Sequence, residues 1–294
     1  MSLWKKLGEH ISAASGRPFS VERHRSLGGG CINAAYLVEG SGERYFVKTN
    51  QASVGFMFEA EAAGLEEIAR SRAIRVPRPV CAGQAEGFSC LVLEYVEMGG
   101  GGDAAQQRLG RQVAAMHRAT AARYGWSRDN TIGSTPQINT QSDDWAAFWR
   151  ANRLDYQLRL AEKKGAPAGL LRRGERLAAA LDAFFAGYEP PASLLHGDLW
   201  GGNYDMDRDG APVLFDPAVY YGDRETDIAM AELFGGFSPA FYAAYREAFP
   251  LDPGYPVRKH LYSLYHILNH FNLFGGGYGA QAESMIDGLL AEIR

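Results

Sequence analysis

Little in this chain of 294 residues points to an oxidising compartment, a membrane or a nucleic acid. Its three cysteines, Cys31, Cys81 and Cys90, form neither a paired framework nor a metal-ligand spacing, so a reducing compartment is expected. Basic residues are not in excess: 30 Lys and Arg stand against 34 Asp and Glu, a formal net charge of -4, so phosphate backbones find no complementary surface. No apolar run approaches the roughly 20 residues needed to cross a bilayer. The opening MSLWKKLGEHISAASG lacks a signal peptide's apolar centre, because Glu9 and His10 interrupt it. A cytoplasmic protein without nucleic-acid or membrane partners is expected, and nothing in the sequence assigns an oligomeric state.

The order of patterns suggests two parts. Leu3, Trp4, Leu7 and Ile11 recur at helical spacing, as in a short amphipathic helix lying on a lobe. Tyr36 to Glu39 and Arg44 to Lys48 flank Gly40-Ser41-Gly42, a hairpin signal. From Phe56 to Ser71 a stripe of Phe58, Ala62, Leu65 and Ile68 predicts a helix. Val76-Pro77-Arg78-Pro79 forces an extended connection to the strand predicted at Ser89 to Tyr95. Gly99-Gly100-Gly101-Gly102 cannot belong to an element interior and marks a boundary. Helices are predicted beyond it over Gln106 to Ala121, Asp144 to Glu162, Leu177 to Phe185 and His260 to Phe274. The expected architecture is α+β and two-lobed: residues 1–98 a β-rich N-lobe, 99–103 a glycine hinge, 104–294 a mainly α-helical C-lobe.

Four separated features could share one inter-lobe cleft. Gly28-Gly29-Gly30-Cys31-Ile32-Asn33 lies between two predicted strands, where backbone N–H groups could cover a phosphate; an ordinary hairpin turn is the alternative. Lys48 ends its strand and could direct an ammonium into the cleft, unless it is simply a solvated surface residue. A buried cation needs a partner, and Glu59 and Glu61, two apart on one helix, cannot both supply it. Glu61 is favoured because Leu65 would pack beside it one turn on. In His196-Gly197-Asp198-Leu199-Trp200-Gly201-Gly202-Asn203, Asp198 could deprotonate an alcohol, while Asn203 returns an amide oxygen to a hard cation. Leu214-Phe215 then delivers Asp216, and two such oxygen ligands suit Mg²⁺ shared with phosphates. His196 would tie the loop down through hydrogen bonds.

His196-Gly197-Asp198 with Asn203 and Asp216 resembles the catalytic and metal loops of the protein-kinase-like fold, with Gly in the middle position as in small-molecule phosphotransferases. Pro217-Ala218 follows Asp216 where protein kinases carry Phe-Gly, so no mobile switch of that kind is expected. The segments HGDLWGGN, FDPAVYYGDRE, AELFGGF and LYHILNHFNLFG, with GGGCIN, FVK, DNTIGSTPQ and the DDW before FW, resemble the fructosamine (ketosamine) kinases from Gly28 to Gly275. That resemblance implies ATP- and Mg²⁺-dependent phosphorylation of a ketosamine sugar hydroxyl, at the third carbon. It implies residues 1–98 as the nucleotide-binding lobe, with Gly28, Gly29, Gly30, Cys31, Lys48 and Glu61 around the phosphates. The backbone of Glu94, Tyr95 and Val96 would meet adenine. Asp227 resembles the helix-borne Asp that braces the catalytic loop. Asp223 departs from the His expected in many members, which could alter a local hydrogen bond or the substrate rim.

Other positions stay open. Trp200 could stack on the sugar or belong to the core. His266 and His270, one turn apart, suggest helix packing or a substrate contact rather than a metal pair, since no third ligand is in view. Cys31 could be a reactive thiol or a small residue tolerated in a tight loop. Aromatics between Asp143 and Asp155 suggest an acceptor wall for a stacked sugar. The competing readings are an aminoglycoside-, choline- or homoserine-type kinase, and a catalytically inactive kinase fold that binds a partner. The latter predicts loss of Lys48, Asp198, Asn203 or Asp216, and all four are present.

Overall fold

The N-terminal strands owe their arrangement to a period-two alternation of apolar side chains. A computed structural model describes residues 3–28, 33–85 and 87–293. After helix α1 (Leu3–Ser15) come β1 (Arg23–Leu27), β2 (Ala34–Gly40), β3 (Glu43–Asn50), helix α2 (Gly55–Ser71), β4 (Pro79–Ala85) and β5 (Phe88–Glu94). They form an antiparallel five-stranded sheet in the order β1-β2-β3-β5-β4. Ser41 and Gly42 make the β2–β3 turn with φ of 50° and 77°, both positive as a tight hairpin requires. Val47, Cys90 and Val92 face outward onto Leu7 and Ile11 of α1. Their neighbours Phe46, Leu91 and Leu93 face the opposite way, packing with Phe58, Leu65 and Ile68 of α2 into the main core. Lys48 follows Val47 and therefore shares the inner face with Phe46.

After the four glycines comes α3 (Asp103–His117), then the short strands β6 (Thr120–Ala121), β7 (Asn130–Ile132) and β8 (Thr135–Gln137). Helices α4 (Trp145–Trp149), α5 (Asp155–Lys163) and α6 (Ala168–Ala179) precede β9 (Ala192–Leu195), β10 (Tyr204–Met206), β11 (Pro212–Leu214) and β12 (Tyr220–Gly222). The chain closes with α7 (Glu225–Phe234), α8 (Pro239–Ala248), α9 (Tyr255–Phe274) and α10 (Tyr278–Glu292). Strands β12, β9 and β6 form one small sheet, and β10–β11 and β7–β8 are hairpins. Gly99 N–H donates to Met206 O at 2.9 Å and Leu214 N–H to Arg75 O at 3.0 Å, stitching the two parts together. The result is the expected α+β arrangement, a β-rich N-lobe followed by a mainly α-helical C-lobe. Among the described residues no helix is long and apolar enough to cross a membrane.

Three predicted helices differ in detail. α3 ends at His117, and Thr120–Ala121 pairs with β9 as a strand instead of continuing it. Leu177 to Phe185 contains the end of α6 and a separate 3₁₀ turn, Leu181–Phe185. Between α4 and α5, residues Arg150–Leu154 wind as a π-helix. The wider turn shifts the apolar face, so Leu154, Leu158 and Ala161 are buried while Leu160 is only partly covered. Trp145, Phe148 and Trp149 are at most 4% exposed and lie in the core. Rings so covered do not offer a face for a stacked sugar, while Asp143, Asp144, Trp145 and Ala146 border a 260 Å³ cavity.

Candidate active site

Each chemically equipped side chain reaches the junction of the two lobes by a short local device. Lys48 is held at the edge of the cleft by β3 and is only 5% exposed. Its Nζ lies 2.7 Å from Glu61 Oε1, on the first half of α2, and 2.5 Å from Asp216 Oδ1. Burial by itself would lower the Lys48 pKa; the Glu61 and Asp216 carboxylates outweigh it and hold the pKa above the ordinary lysine value. Burial, with Asp216 adding to it, pushes Glu61 up to about 7 against the pull of Lys48. Glu59, two residues away, makes no ion pair among the described residues, and its carbonyl accepts from Arg128 at 2.9 Å.

The segment after β9 turns sharply at Gly197, whose φ is +80°. A Cβ there would collide with the Ala218 carbonyl, so only glycine lets the loop pass so close to residues 216–219. Asp227, at the start of α7, braces this turn from beneath. Its Oδ2 accepts from His196 N–H at 2.7 Å and its Oδ1 from Gly197 N–H at 2.9 Å. Buried His117 reaches the same Oδ2 through Nε2 at 3.1 Å and meets Tyr245 OH through Nδ1 at 2.8 Å. Burial opposes ionisation of Asp227, but the hydrogen bonds and charge of His117 and its other partners keep its carboxyl below the usual range. His196 accepts Asp198 N–H at Nδ1 (3.2 Å), which puts its proton on Nε2, and that N–H donates to Phe215 O at 3.0 Å. Burial lowers its pKa, consistent with a neutral ring.

Asp198 then faces Asn203, whose Nδ2 donates to Asp198 Oδ2 at 2.8 Å and to Asp198 O at 2.9 Å. Burial pushes the Asp198 carboxyl up to about 7, with the Asn203 hydrogen bond pulling the other way. Phe215 N–H donates to Asn203 O at 3.0 Å, so Asp216 begins beside that amide. Asn203 Oδ1 and Asp216 Oδ2 accept no hydrogen bond from the described residues, and the Asp216 side chain is 45% exposed. Asp216 has φ 56°, an uncommon conformation for a residue with a side chain. Lys48, Glu61, Asp198, Asn203 and Asp216 are thereby brought together.

The remaining predicted positions are more scattered. Gly28 is an exposed residue just past β1, whereas Gly29, Gly30 and Cys31 lie outside the described residues. Glu94 N–H is taken by Arg78 O at 2.8 Å and its carboxylate by Arg75 at 2.9 Å, while Val96 N–H finds no partner among the described residues. Tyr95 lies under Arg44, 5.0 Å from its ring centre, and with Glu94 borders a 770 Å³ cavity that Lys48 and Asp198 do not line. Trp200 is 40% exposed and its ring covers Gly202. His270 donates Nδ1–H to His266 O at 2.8 Å and lies 4.7 Å from the Phe234 ring. Burial drives the His266 pKa down to about 3, so that ring is neutral. No group of three or more His, Cys, Asp or Glu among the described residues could hold a metal, which leaves the two histidines as packing or contact residues. Asp223 is fully buried and accepts from Tyr262 OH at 2.6 Å and Tyr188 OH at 3.1 Å, so it belongs to a local network and to no rim.

Sequence reasoning gave no function to His117, Asn130 or Gln137. Both amides turn out to bond the backbone just after Asp216. The only sequence signal was their place in DNTIGSTPQ, since no periodicity announces a contact across some eighty residues.

The model of a family described as fructosamine kinase matches residues 3–292. The chain is 48% identical over 288 residues to a probable ketoamine kinase of Synechocystis, covering 96% of this chain and 95% of that one. It is 43% identical over 282 residues to the chloroplastic protein-ribulosamine 3-kinase of Arabidopsis thaliana, covering 95% and 86%. Among solved structures, a candidate fructosamine-3-kinase from Haemophilus somnus superposes with a TM-score of 0.90 at 30% identity, covering 98% of this chain and 97% of the other. A Streptococcus pneumoniae choline kinase shares the fold alone, with a TM-score of 0.63 at 16% identity over 98% of each chain. A match along nearly the whole length, on a kinase-like architecture with its acidic loops gathered at one junction, places this chain in the fructosamine kinase family.

Proposed function

We propose that the chain is an ATP- and Mg²⁺-dependent kinase acting on a ketosamine, the rearranged adduct of a sugar and an amine, at its third-carbon hydroxyl. The observation carrying this reading is the Lys48–Glu61–Asp216 charge cluster set directly beside the Asp198–Asn203 pair. Residues 1–98 would bind the nucleotide, 99–103 serve as hinge, and 104–294 carry the catalytic and acceptor groups. The backbone of Glu94 to Val96 would meet adenine, with the Val96 N–H, unpartnered among the described residues, as donor. Gly28 to Cys31 would cover the phosphates.

The donor chemistry fits the metal. Asn203 Oδ1 and Asp216 Oδ2 are hard oxygen donors with lone pairs to spare, and two protein ligands suit an ion otherwise coordinated by phosphates and water. Mg²⁺ there would neutralise phosphate charge. Lys48, oriented by Glu61, would hold α- and β-phosphate oxygens. Asp198, bonded to Asn203, would take the acceptor proton as the hydroxyl oxygen bonds to the γ-phosphorus and the bond to the β–γ bridging oxygen breaks, releasing ADP. A carboxylate tuned towards neutrality suits a base working near physiological pH. Because the transition state is loose, positioning and charge neutralisation supply most of the acceleration. His196 and Asp227 would keep the loop in shape. Trp200, His266 and His270 would lie on the acceptor side, Trp200 offering its exposed ring to the sugar. Unpaired thiols at Cys81 and Cys90 accord with a cytoplasmic setting.

The test is one assay of the purified chain with Mg-ATP and a panel of fructosamines, ribulosamines, aminoglycosides and choline, read by ADP release and phosphorus NMR. A 3-phosphorylated ketosamine is expected. Turnover confined to aminoglycosides or choline would replace the acceptor, and nucleotide binding with no turnover on any acceptor would replace the enzyme by a binding protein.

A further inference from the structure

Asp216 is strained twice over. Its φ of 56° is the left-handed region, where a Cβ crowds the following carbonyl. The residue after it is Pro217, whose ring further restricts the preceding backbone and favours an extended path there. Such a conformation persists only where its surroundings over-determine it. On one side the restraints are Lys48 on the carboxylate, Phe215 N–H on Asn203 O, and Ala218 N–H on His196 O at 2.8 Å.

The other side is held by an amide relay that no part of the proposed chemistry uses. Gln137 Nε2 donates to Ala218 O at 3.0 Å, and Asn130 Nδ2 donates to Val219 O at 2.8 Å. These are the second and third carbonyls after Asp216. Gln137 is not free to turn its amide over, because Tyr265 OH meets its Oε1 at 2.8 Å and Asn130 Oδ1 receives its Nε2 at 2.9 Å. Asn130 is fixed in turn by Asn139 Nδ2 at 3.0 Å, and Asn139 Oδ1 by Arg153 at 2.9 Å. Arg153 is fully buried, makes no ion pair among the described residues, and lies over Tyr220 at 4.2 Å from its centre. Gln137, Asn130, Asn139 and Tyr265 are each at most 5% exposed. The amides of this relay are all engaged, although Arg153 Nε at its far end has no partner among the described residues, and a buried amide network so satisfied defines one geometry.

We propose that Gln137, oriented by Tyr265, is a positioning residue that fixes the Asp216 carboxylate for the metal–nucleotide complex, in place of a movable loop. This rests on the reading of Asp216 as a metal ligand. Outer partners of metal-ligating groups typically contribute ~10- to 100-fold in metal affinity. Removing Gln137 frees the Ala218 carbonyl and lets residues 216–218 relax towards an unstrained path, carrying the carboxylate away from Asn203.

The experiment compares ADP affinity with and without Mg²⁺, by calorimetry, in the wild type, Gln137→Met and Tyr265→Phe. The wild type is expected to gain affinity on adding Mg²⁺. Gln137→Met should lose about tenfold of that gain while its metal-free ADP affinity stays within about twofold; Tyr265→Phe, which keeps the side chain's volume and removes only the hydroxyl, should lose a smaller part in the same sense. If Gln137→Met does not fold, Tyr265→Phe carries the test alone. A merely structural role would lower both affinities together or leave both unchanged, and either result overturns the proposal. A wild type that gains nothing from Mg²⁺ would sink the metal reading itself, whereas equal gains in all three proteins would sink only the role of Gln137.

Discussion

Two of the buried charge clusters among the described residues differ in what their oxygens lack. Around Arg258, both Glu225 oxygens are taken, at 2.8 and 3.0 Å, and Asp252 adds a third contact at 2.7 Å. Tyr188 covers the guanidinium from 3.5 Å, and Asp223 beside it accepts from Tyr262, Tyr188 and the Glu225 N–H. Around Lys48, Glu61 and Asp216 share one ammonium, while Asp216 Oδ2 and Asn203 Oδ1 find no donor among the described residues. Desolvation is present in both, raising Glu225 and Glu61 alike to about 7 against their cationic partners. The sealed cluster closes on itself and can serve only the fold. The open one is short of partners on the side from which a polyphosphate and its metal would come.

The largest effect that could break this contrast concerns the base beside the open cluster. Asp198→Asn keeps the shape and the contact with Asn203 but cannot accept a proton. Turnover should fall by about 10³- to 10⁴-fold with the melting temperature nearly unchanged, checked by ADP release and thermal unfolding on the same preparation. Near-normal turnover would remove Asp198 from the chemistry. Next comes the sealed cluster. Arg258→Met leaves Glu225 buried without its cation, and breaking such a pair costs about 3–5 kcal/mol. Denaturant titration should show that loss, while turnover per folded molecule stays within about twofold, since Arg258 touches none of the reacting groups.

Lys48→Met sharpens the comparison by the same chemical change at the open cluster. Asp216 is already 45% exposed and Glu61 13%, so water reaches both carboxylates when the cation is gone, whereas Glu225 is fully covered. The stability loss should therefore be clearly smaller than for Arg258→Met, about 1–2 kcal/mol. The kcat/KM for ATP should fall about 10²-fold, as for loss of one preorganised charge contact. Equal stability losses at Lys48 and Arg258 would mean that the two clusters are built for the same purpose.

The sequence revealed this chemistry unevenly, for physical reasons. The β2–β3 hairpin, α2 and the choice of Glu61 over Glu59 follow from local periodicity, because a residue's face is decided by neighbours two to four positions away. The Asp198–Asn203 contact spans five residues of one loop and is nearly as local. Ring stacking in the Asp143 to Asp155 segment was not legible locally: Trp145, Phe148 and Trp149 lie in the core, and the π turn at Arg150–Leu154 that follows them inserts extra backbone that no side-chain pattern announces. Asp223 could be placed in a buried network only once α9 had brought Tyr262 alongside it. Amides that bond to carbonyls, such as Gln137 on Ala218, carry no charge or periodicity that would mark them in advance.

The smallest expected effect lies on α9, the helix that carries Arg258. His266 is 4% exposed and its pKa is driven down to about 3 by burial, with His270 and Arg153 adding to the effect and Asp227 opposing it. In the unfolded chain the same ring titrates near ~6.5. Below that pH the unfolded state therefore binds a proton that the folded state refuses, and stability falls as the pH drops towards 3. One such proton is worth about 1.4 kcal/mol per pH unit. Above the unfolded value both states are neutral and the contribution is constant. His266→Gln removes the titration without adding charge, so its stability between pH 6 and pH 4 should decline less steeply than that of the wild type by about that slope. Because slopes are compared, any fixed packing cost of the glutamine cancels. Denaturant titrations at three pH values suffice, and parallel lines for the two proteins would mean that His266 gains its proton in the folded state, with water or an acid reaching a ring that the packing of α9 covers in this structure.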